Sequence, residues 1–265
     1  MKRPVSLPVE RLYEFESLAS TQDFARKRLE AHPGANEVIW VRADRQSEGR
    51  GRQGRRWEDT KAPGETLLVS LGFRPSSRLA RSLPLLPLWA GALALSVARE
   101  LGHDESLFLK WPNDLVRPGA GASLSKVGGI LVEAFGARGV VVGWGINLFS
   151  APADVGASPL FASRAEDPLG FRDRVWARLR ERFARENAAW SADVSGTYEE
   201  SLIEFLERDA MAPLWGREGV LLAESRRGRA VGLNGDGTLR VLLPDGTRYE
   251  ARSGEFRLDR EAPRP

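Results

Sequence analysis

The sequence predicts an α+β fold: a mixed, mostly antiparallel sheet with flanking helices, followed by a small β-barrel. Three observations predict it. Through residue 208, short apolar runs bounded by turn residues alternate with longer segments of helical spacing. After Arg208 the composition changes to short apolar runs separated by glycine-rich turns. Within that last stretch, Asn234-Gly235-Asp236-Gly237 and Pro244-Asp245-Gly246 carry the residues that tight hairpin turns require. A chain of 265 residues is long enough for one large core and a small second one. The expected division is residues 1–211 and residues 212–265.

Taken in order, Val9–Phe15 reads as a strand. Ser20-Thr21-Gln22-Asp23 has the pattern of a capping box, a hydroxyl followed three residues on by an acid, and opens a helix through about Leu29. Residues 37–41 form a short β-type run. A polar, glycine-rich stretch separates them from the apolar run Thr66–Phe73, so strand, loop, strand is the expectation. Residues 85–101 are rich in Leu and Ala with Pro87 near the start, which suits a buried helix with proline in its first turn. Residues 107–109, 127–135 and 139–146 read as strands, residues 169–190 as a helix with charges on one face, and residues 197–208 as another helix. Met211-Ala212-Pro213 reads as a linker, and residues 219–258 as a meander of short strands.

Composition removes several chemistries. With no cysteine, a disulfide framework, a thiolate metal site and a cysteine nucleophile are excluded. With two histidines, His32 and His103, a multi-histidine metal centre is not expected, and a bound metal would be Mg²⁺ on carboxylate and phosphate oxygens. The net charge of +3, with acidic residues interspersed, permits nucleic-acid contact without demanding it. Residues 1–8 carry Lys2 and Arg3 but no apolar core of signal-peptide length, and no run long enough to cross a membrane is evident, so a cytoplasmic protein is expected. Nearly all basic residues are arginine; the lysines are Lys2, Lys27, Lys61, Lys110 and Lys126. Lys110 and Lys126 stand out because the segments around them are unusual.

Gly49-Arg50-Gly51-Arg52-Gln53-Gly54 matches the letters of a dinucleotide fingerprint, but Arg55-Arg56-Trp57 leads to Pro63-Gly64 and another strand where the fingerprint needs a helix. A P-loop is excluded because no Gly-Lys-Ser/Thr triplet occurs at the required spacing. Two readings of the loop remain. It is a basic segment for phosphate backbones, or a shaped loop between strands, with Gln46 before it and the flat face of Trp57 after it. Lys110-Trp111-Pro112-Asn113-Asp114 sets a cation, an amide and a carboxylate at a strand end, or is only a proline turn. Lys126 opens an apolar strand in which Gly128 and Gly129 permit close approach of a ligand. Gly143-Trp144-Gly145-Ile146-Asn147 repeats the device, with glycines interrupting an apolar strand that ends on an amide.

Together these segments resemble the biotin protein ligases. The resemblance rests on Ser20-Thr21, Gln46, Gly49 through Arg52, Gly54 through Trp57, Lys110 through Asp114, Lys126 with Gly129-Ile130-Leu131-Val132-Glu133, Gly143 through Asn147, and Gly254-Glu255 near the end. Several motifs in one order are more specific than any one alone. The resemblance implies a class II synthetase-like, biotin/lipoate-ligase-like catalytic domain and an SH3-like C-terminal barrel. It implies that biotin is activated by ATP to biotinyl-AMP, with pyrophosphate released, and that biotin then passes to a lysine of a biotin carboxyl carrier protein or carrier domain. No membrane and no DNA partner are expected, since no helix-turn-helix domain is expected ahead of Val9; a homodimer is compatible. The sequence departs from the family pattern at Glu48, where a small residue is usual, at Gln22, where asparagine is usual, and in the longer turn of residues 118–125. No nucleotide-closing segment is recognisable in residues 149–166.

Carried over by position, the resemblance implies that Ser20, Thr21, Gln46, Gly49, Arg50, Lys126, Gly129 and Gly143 bind biotin. Arg52, Arg55, Trp57, Asn113, Lys126 and Asn147 bind ATP, and Mg²⁺ lies near Asp114 and Asn147. Lys126, Arg52 and Arg50 serve the chemistry. A lipoate-type ligase stays open as an alternative, and so does a non-enzymatic nucleic-acid-binding module.

Overall fold

The computed structural model describes residues 9–32, 36–58, 62–77, 79–102, 104–119, 123–152, 156–222 and 224–259. Residues 1–8 with Lys2 and Arg3, Lys61, His103 and residues 120–122 of the long turn lie outside them. Seven strands form one sheet: β1 (Val9–Phe15), β2 (Glu37–Ala43), β3 (Thr66–Phe73), β4 (Phe108–Lys110), β5 (Asp114–Pro118), β6 (Leu124–Ala134) and β7 (Val140–Asn147). Their order is β1-β2-β3-β7-β6-β5-β4, with β1 and β2 parallel and every other pair antiparallel. The expected mixed, mostly antiparallel sheet is present.

Side chains alternate across a strand, so each strand here feeds two different layers. Val38 and Trp40 of β2, Leu67, Val69, Leu71 and Phe73 of β3, and Val140, Val142, Trp144 and Ile146 of β7 enter the main core. That core is closed by α2 (Leu86–Gly102) and α3 (Pro168–Ala192), where Phe183 sets its ring edge-on to Trp40 and Trp40 stacks on Trp144. The other face carries Ile39, Val41 and Val141, which pack against Ala25 and Leu29 of α1 (Thr21–Ala31). Beyond α1 that second face shows Ser70, Gly143 and Gly145 in place of large apolar residues. A cleft opens there.

Leu79–Gly102 is, by length and composition, apolar enough to cross a membrane, contrary to the expectation from sequence. Most of α2 is nevertheless buried against the sheet and α3, as a core helix is. The sequence also missed β5, reading a turn where β4 and β5 form a hairpin through residues 111–113. Leu115 and Val116 are its only buried apolar pair, and Arg117 and Pro118 hide the strand pattern.

After α4 (Thr197–Phe205) the chain enters the second, five-stranded antiparallel sheet: β8 (Glu218–Leu221), β9 (Arg226–Leu233), β10 (Leu239–Leu242), β11 (Arg248–Ala251) and β12 (Phe256–Leu258), in the order β11-β10-β9-β8-β12. Both expected turns close hairpins, with Asn234 N–H on the Thr238 carbonyl and Leu243 N–H on the Thr247 carbonyl, each at 2.9 Å. The expected linker at Met211 is not exposed. Met211 and Leu214 are both fully buried, and one apolar core runs from α2 through them to Leu239, Val241 and Phe256.

Candidate active site

The floor of the cleft is the second face of β3, β7 and β6. Ser70 stands where an all-apolar strand would place a hydrocarbon, and Gly143 and Gly145 keep the neighbouring strand low. A Cβ on Gly145 would come within 2.5 Å of the Trp57 indole, and one on Gly143 within 2.6 Å of Gln22 Oε1. Strand β6 gains its place through a bulge. Val116 pairs with Lys126 and Leu115 with Gly128, so Val127 is an extra residue. The extra residue reverses the alternation. Val127 and Ile130 both enter the core, while Lys126 and Gly129 both line the cleft.

The loop of residues 45–57 forms the facing wall. Its base is fixed to the entry of α1 by Ser47 N–H on the Leu18 carbonyl at 3.1 Å and Glu48 N–H on the Ala19 carbonyl at 2.8 Å. Its arms pair through Gly51 N–H to the Arg55 carbonyl at 2.7 Å and Trp57 N–H to the Gly49 carbonyl at 2.9 Å. The tip turns through Gln53 and Gly54, with φ of 57° and 73°. No helix starts at Gly54, as the rejected fingerprint would have needed. The turn returns Trp57 over Gly145 and Gly129, with its Nε1 buried and without a partner among the described residues.

Ser20 caps α1 as expected, accepting from Asp23 N–H at 3.4 Å. The other half of the box is used differently. The Asp23 carboxylate receives Arg50 at 2.6 Å, and Arg50 also bonds Glu133 at 3.0 and 3.2 Å. Arg50 therefore ties the loop to α1 and β6.

At the other end, the hairpin turn of residues 111–113 contains the cis Trp111–Pro112 peptide, and Asn113 Nδ2 donates to the Ile130 carbonyl at 2.6 Å. Arg52 then links the two sheets, donating to Asn113 Oδ1 at 3.0 Å and to the Gly254 carbonyl at 3.1 Å. Its burial lowers the guanidinium from the usual range, against the pull of Asp114 and Glu255. Glu255 accepts Arg55 at 2.7 Å, with Lys110 at 4.0 Å. Lys126 Nζ lies 2.7 Å from Asp114 Oδ1 and 5.8 Å from the Trp57 ring centre.

Burial raises the Glu255 carboxyl, but its bond to Arg55 and the charges of Lys110, Arg55 and Arg257 outweigh it and hold the group below the ordinary 4.5. A depressed acid stabilises the fold above its unfolded value, and the gain is lost as pH falls through 4.5 and below. Wild type and Glu255→Gln should therefore differ in thermal midpoint near neutrality and converge as the solution is made progressively more acid than pH 4.5. A difference that persists unchanged in acid would contradict this assignment.

The cleft is open on one side and spans about 930 Å³ when the solvent space of its mouth is counted. Lining it are Ser20, Thr21, Gln46, Arg50, Arg52, Arg55, Trp57, Asn113, Asp114, Lys126, Gly129 and Gly143, all expected from the sequence. Two expected residues stand outside the lining. Gly49 is buried at the loop base, where a Cβ would meet the Trp57 carbonyl at 2.8 Å. Asn147 is 2% exposed at the end of β7, and its Oδ1 is buried with no partner among the described residues. Gln22, Ser70, Gly145 and Glu255 also line the cleft and were not expected as site residues. A lone serine inside the run Thr66–Phe73 was the available signal for Ser70.

Residues 14–147 match the model of the biotin/lipoate A/B protein ligase family. A biotin–[acetyl-CoA-carboxylase] ligase of Paracoccus denitrificans is 33% identical over 169 residues, which cover 59% of this chain and 67% of that protein. A bifunctional ligase/repressor of Bacillus subtilis is 34% identical over 141 residues, 52% of this chain and 40% of that longer protein. Among solved structures, the biotin protein ligase from Aquifex aeolicus in complex with biotin and ATP is 28% identical with a TM-score of 0.70, over 95% of this chain and 99% of that one. The ligase from Leishmania major in complex with biotinyl-5-AMP is 25% identical with a TM-score of 0.57, over 92% of this chain and 99% of that one.

Proposed function

Since the chain belongs to the biotin/lipoate A/B protein ligase family, we propose that it is a biotin protein ligase, joining biotin to AMP at the expense of ATP and passing the biotinyl group to a carrier-protein lysine. The observation that carries this is the single cleft in which the glycine floor, Lys126 and the arginine loop meet. A division of labour between residues 1–211, which hold the reactants, and residues 212–265, which supply Gly254 and Glu255 to one edge, fits the same cleft.

The chemical difficulty is that a carboxylate must meet the α-phosphate of ATP. Two like unit charges about 4 Å apart repel by roughly 4 kcal/mol at an effective dielectric near 20. Fixed cations lower that cost where charge develops in the transition state. Lys126, brought to the floor by the β6 bulge, would lie between carboxylate and α-phosphate as an electrostatic clamp. Arg52 and Arg55 would hold phosphates. Asn113 keeps Arg52 in place, and Trp57 offers a flat apolar wall. Thr21 and Gln46 would hydrogen-bond the polar ring of biotin, with Ser20 serving both as helix cap and as wall. Arg50 acts on the loop, holding it closed through Asp23 and Glu133.

Mg²⁺ fits the donors present. Asp114 offers a carboxylate in the cleft, and Asn147, at the end of β7, offers a buried amide oxygen without a partner among the described residues. Both are the oxygen donors this ion prefers beside substrate phosphates. When bound it would offset phosphate charge. In the second step the acceptor lysine must lose a proton, and Asp114 is the carboxylate proposed to take it. The pH profile of transfer by Asp114→Asn should then lose its acid limb, with the rate down by about a hundredfold or more. An unchanged profile would remove Asp114 from this role.

The partner is a biotin carboxyl carrier protein or carrier domain, and the setting we propose is soluble and cytoplasmic, without DNA. Exchange of labelled pyrophosphate into ATP tests the function: it should depend on biotin and be absent with lipoate. Exchange with lipoate alone would make the chain a lipoate-type ligase. Binding to nucleic acid that weakens steeply with salt, with no exchange, would mark a binding module.

A further inference from the structure

Lys126 stands where the sheet gives its backbone least support. Strand β6 pairs with β7 only as far as Gly128 opposite Ile146, so one edge of Lys126 lies beyond the end of that pairing. On its other edge it faces Val116 of β5, but the bulge at Val127 follows directly, and a bulge disrupts the ladder locally. A short segment outside the motifs read from the sequence takes the open edge. Lys126 N–H donates to the Gly156 carbonyl at 3.0 Å, and Ser158 N–H donates to the Lys126 carbonyl at 2.9 Å, a parallel bridge centred on Ala157. The N–H and C=O of a strand residue point to one side, so both backbone groups of Lys126 are turned from β5 to this strap. The strap is itself anchored. Leu160 N–H donates to the Asn147 carbonyl at 2.7 Å, Phe161 N–H to the Leu148 carbonyl at 2.9 Å, and Arg117 Nη2 to the Leu160 carbonyl at 2.7 Å. Leu160 enters the main core, and Phe161 packs edge-on against Phe171 of α3 with ring centres 4.7 Å apart.

We propose that residues 156–160 are a positioning strap for the Lys126 ammonium: by holding both backbone groups of Lys126, the Gly156 carbonyl and the Ser158 N–H fix the direction in which the bulge sends its side chain into the cleft. This rests on the ligase function proposed above, with Lys126 as its electrostatic clamp. A group that stabilises developing charge must be held to within about 0.5 Å, and a misplacement of about 1 Å can cost up to about a hundredfold in rate. None of residues 156–160 lines the cleft, so the strap acts through Lys126. Two features of the chain suit this role. Gly156 has φ of 62°, and no atom lies within 4 Å of where its Cβ would stand, so the glycine serves backbone conformation and not space. Pro159 confines Ser158 to extended backbone, the form that pairs with β6.

The test is biotin-dependent pyrophosphate exchange at saturating substrate by the full chain, in wild type, Ser158→Pro, Lys126→Ala and the double variant. Ser158→Pro removes the donor to the Lys126 carbonyl while keeping the backbone extended, and should lower the rate by about ten- to a hundredfold. Its thermal midpoint should fall by only about 2–4 °C, the shift for one lost hydrogen bond in a chain of this size. Added to Lys126→Ala, the same change should lower the rate by no more than about twofold, because the group it positions is gone. Ser158→Ala keeps the N–H and should stay within about twofold of wild type. Gly156→Val strains the left-handed backbone and should repeat the pattern of Ser158→Pro, whereas Gly156→Asn tolerates that conformation and should restore the rate. The Gly156 pair decides the matter should Ser158→Pro not fold. A further loss of full size in the Lys126→Ala background, a wild-type rate in Ser158→Pro and Gly156→Val, or Ser158→Ala as slow as Ser158→Pro overturns the proposal. Absence of biotin-dependent exchange in wild type would instead overturn the ligase function, and is seen before any variant is compared.

Discussion

Lys126→Ala is expected to slow biotin-dependent pyrophosphate exchange by about a hundred- to a thousandfold, the loss typical when a single preorganised charge-stabilising group is removed. The fold should survive. Lys126 has a side chain 39% exposed and its ion pair with Asp114 is open to solvent on one side, so its contribution to stability is expected to be about 1 kcal/mol or less. The neighbours that carry packing, Val127 and Ile130, point the other way because of the bulge. Thermal unfolding and exchange kinetics on the same preparation check both halves. Exchange close to wild type, or a chain that no longer folds, would show that Lys126 is a structural residue.

Gly145→Val is expected to weaken binding of biotin and ATP together by at least about a hundredfold, by driving a side chain into the place the Trp57 ring occupies. A Cβ at residue 145 would stand 2.5 Å from the indole, closer than any real contact allows. Overpacking of this kind costs about 1–3 kcal/mol where nothing can yield. Here the loop can yield. Trp57 hangs from a hairpin held at its base and by Arg50, Arg52 and Arg55, so the strain is expected to lift the loop and leave the sheet intact. Trypsin reads that directly, since Arg50, Arg52, Arg55 and Arg56 lie in the loop. Biotin plus ATP should protect these sites in wild type and not in Gly145→Val. Equal protection in both would contradict the placement of Trp57 on that floor.

Much of the fold was legible where local chemistry decides it. Thr66–Phe73 has the same bounds in the sequence reading and in the structure because a mostly apolar run, broken only by Ser70 and Gly72, lies between turn residues. Ser20 announced its helix, and Asn234-Gly235-Asp236-Gly237 its hairpin. The bulge was not legible. Val127-Gly128-Gly129-Ile130 reads as one apolar strand, and only its pairing with β5 reveals that Val127 and Ile130 share a face. Met211 looked like a linker because Ala212-Pro213 follows it, but burial is decided by residues far away in the sequence. Among site residues, the glycines and cations were visible as motifs. Gln22 and Glu255 were visible in the pattern but not as lining of the cleft, since that depends on partners brought in from other strands and from the second sheet.

The central claim is that the cleft under the arginine loop makes and spends biotinyl-AMP. It is tested most directly by a single turnover of the purified chain with biotin and ATP, followed by addition of a biotin carboxyl carrier domain, with mass spectrometry of both proteins. The expected result is biotinyl-AMP bound in wild type, lost in Lys126→Ala, and discharged onto one lysine of the carrier when the carrier is added. Transfer by Lys126→Ala at the wild-type rate, or no adenylate in wild type with biotin and ATP, would contradict it.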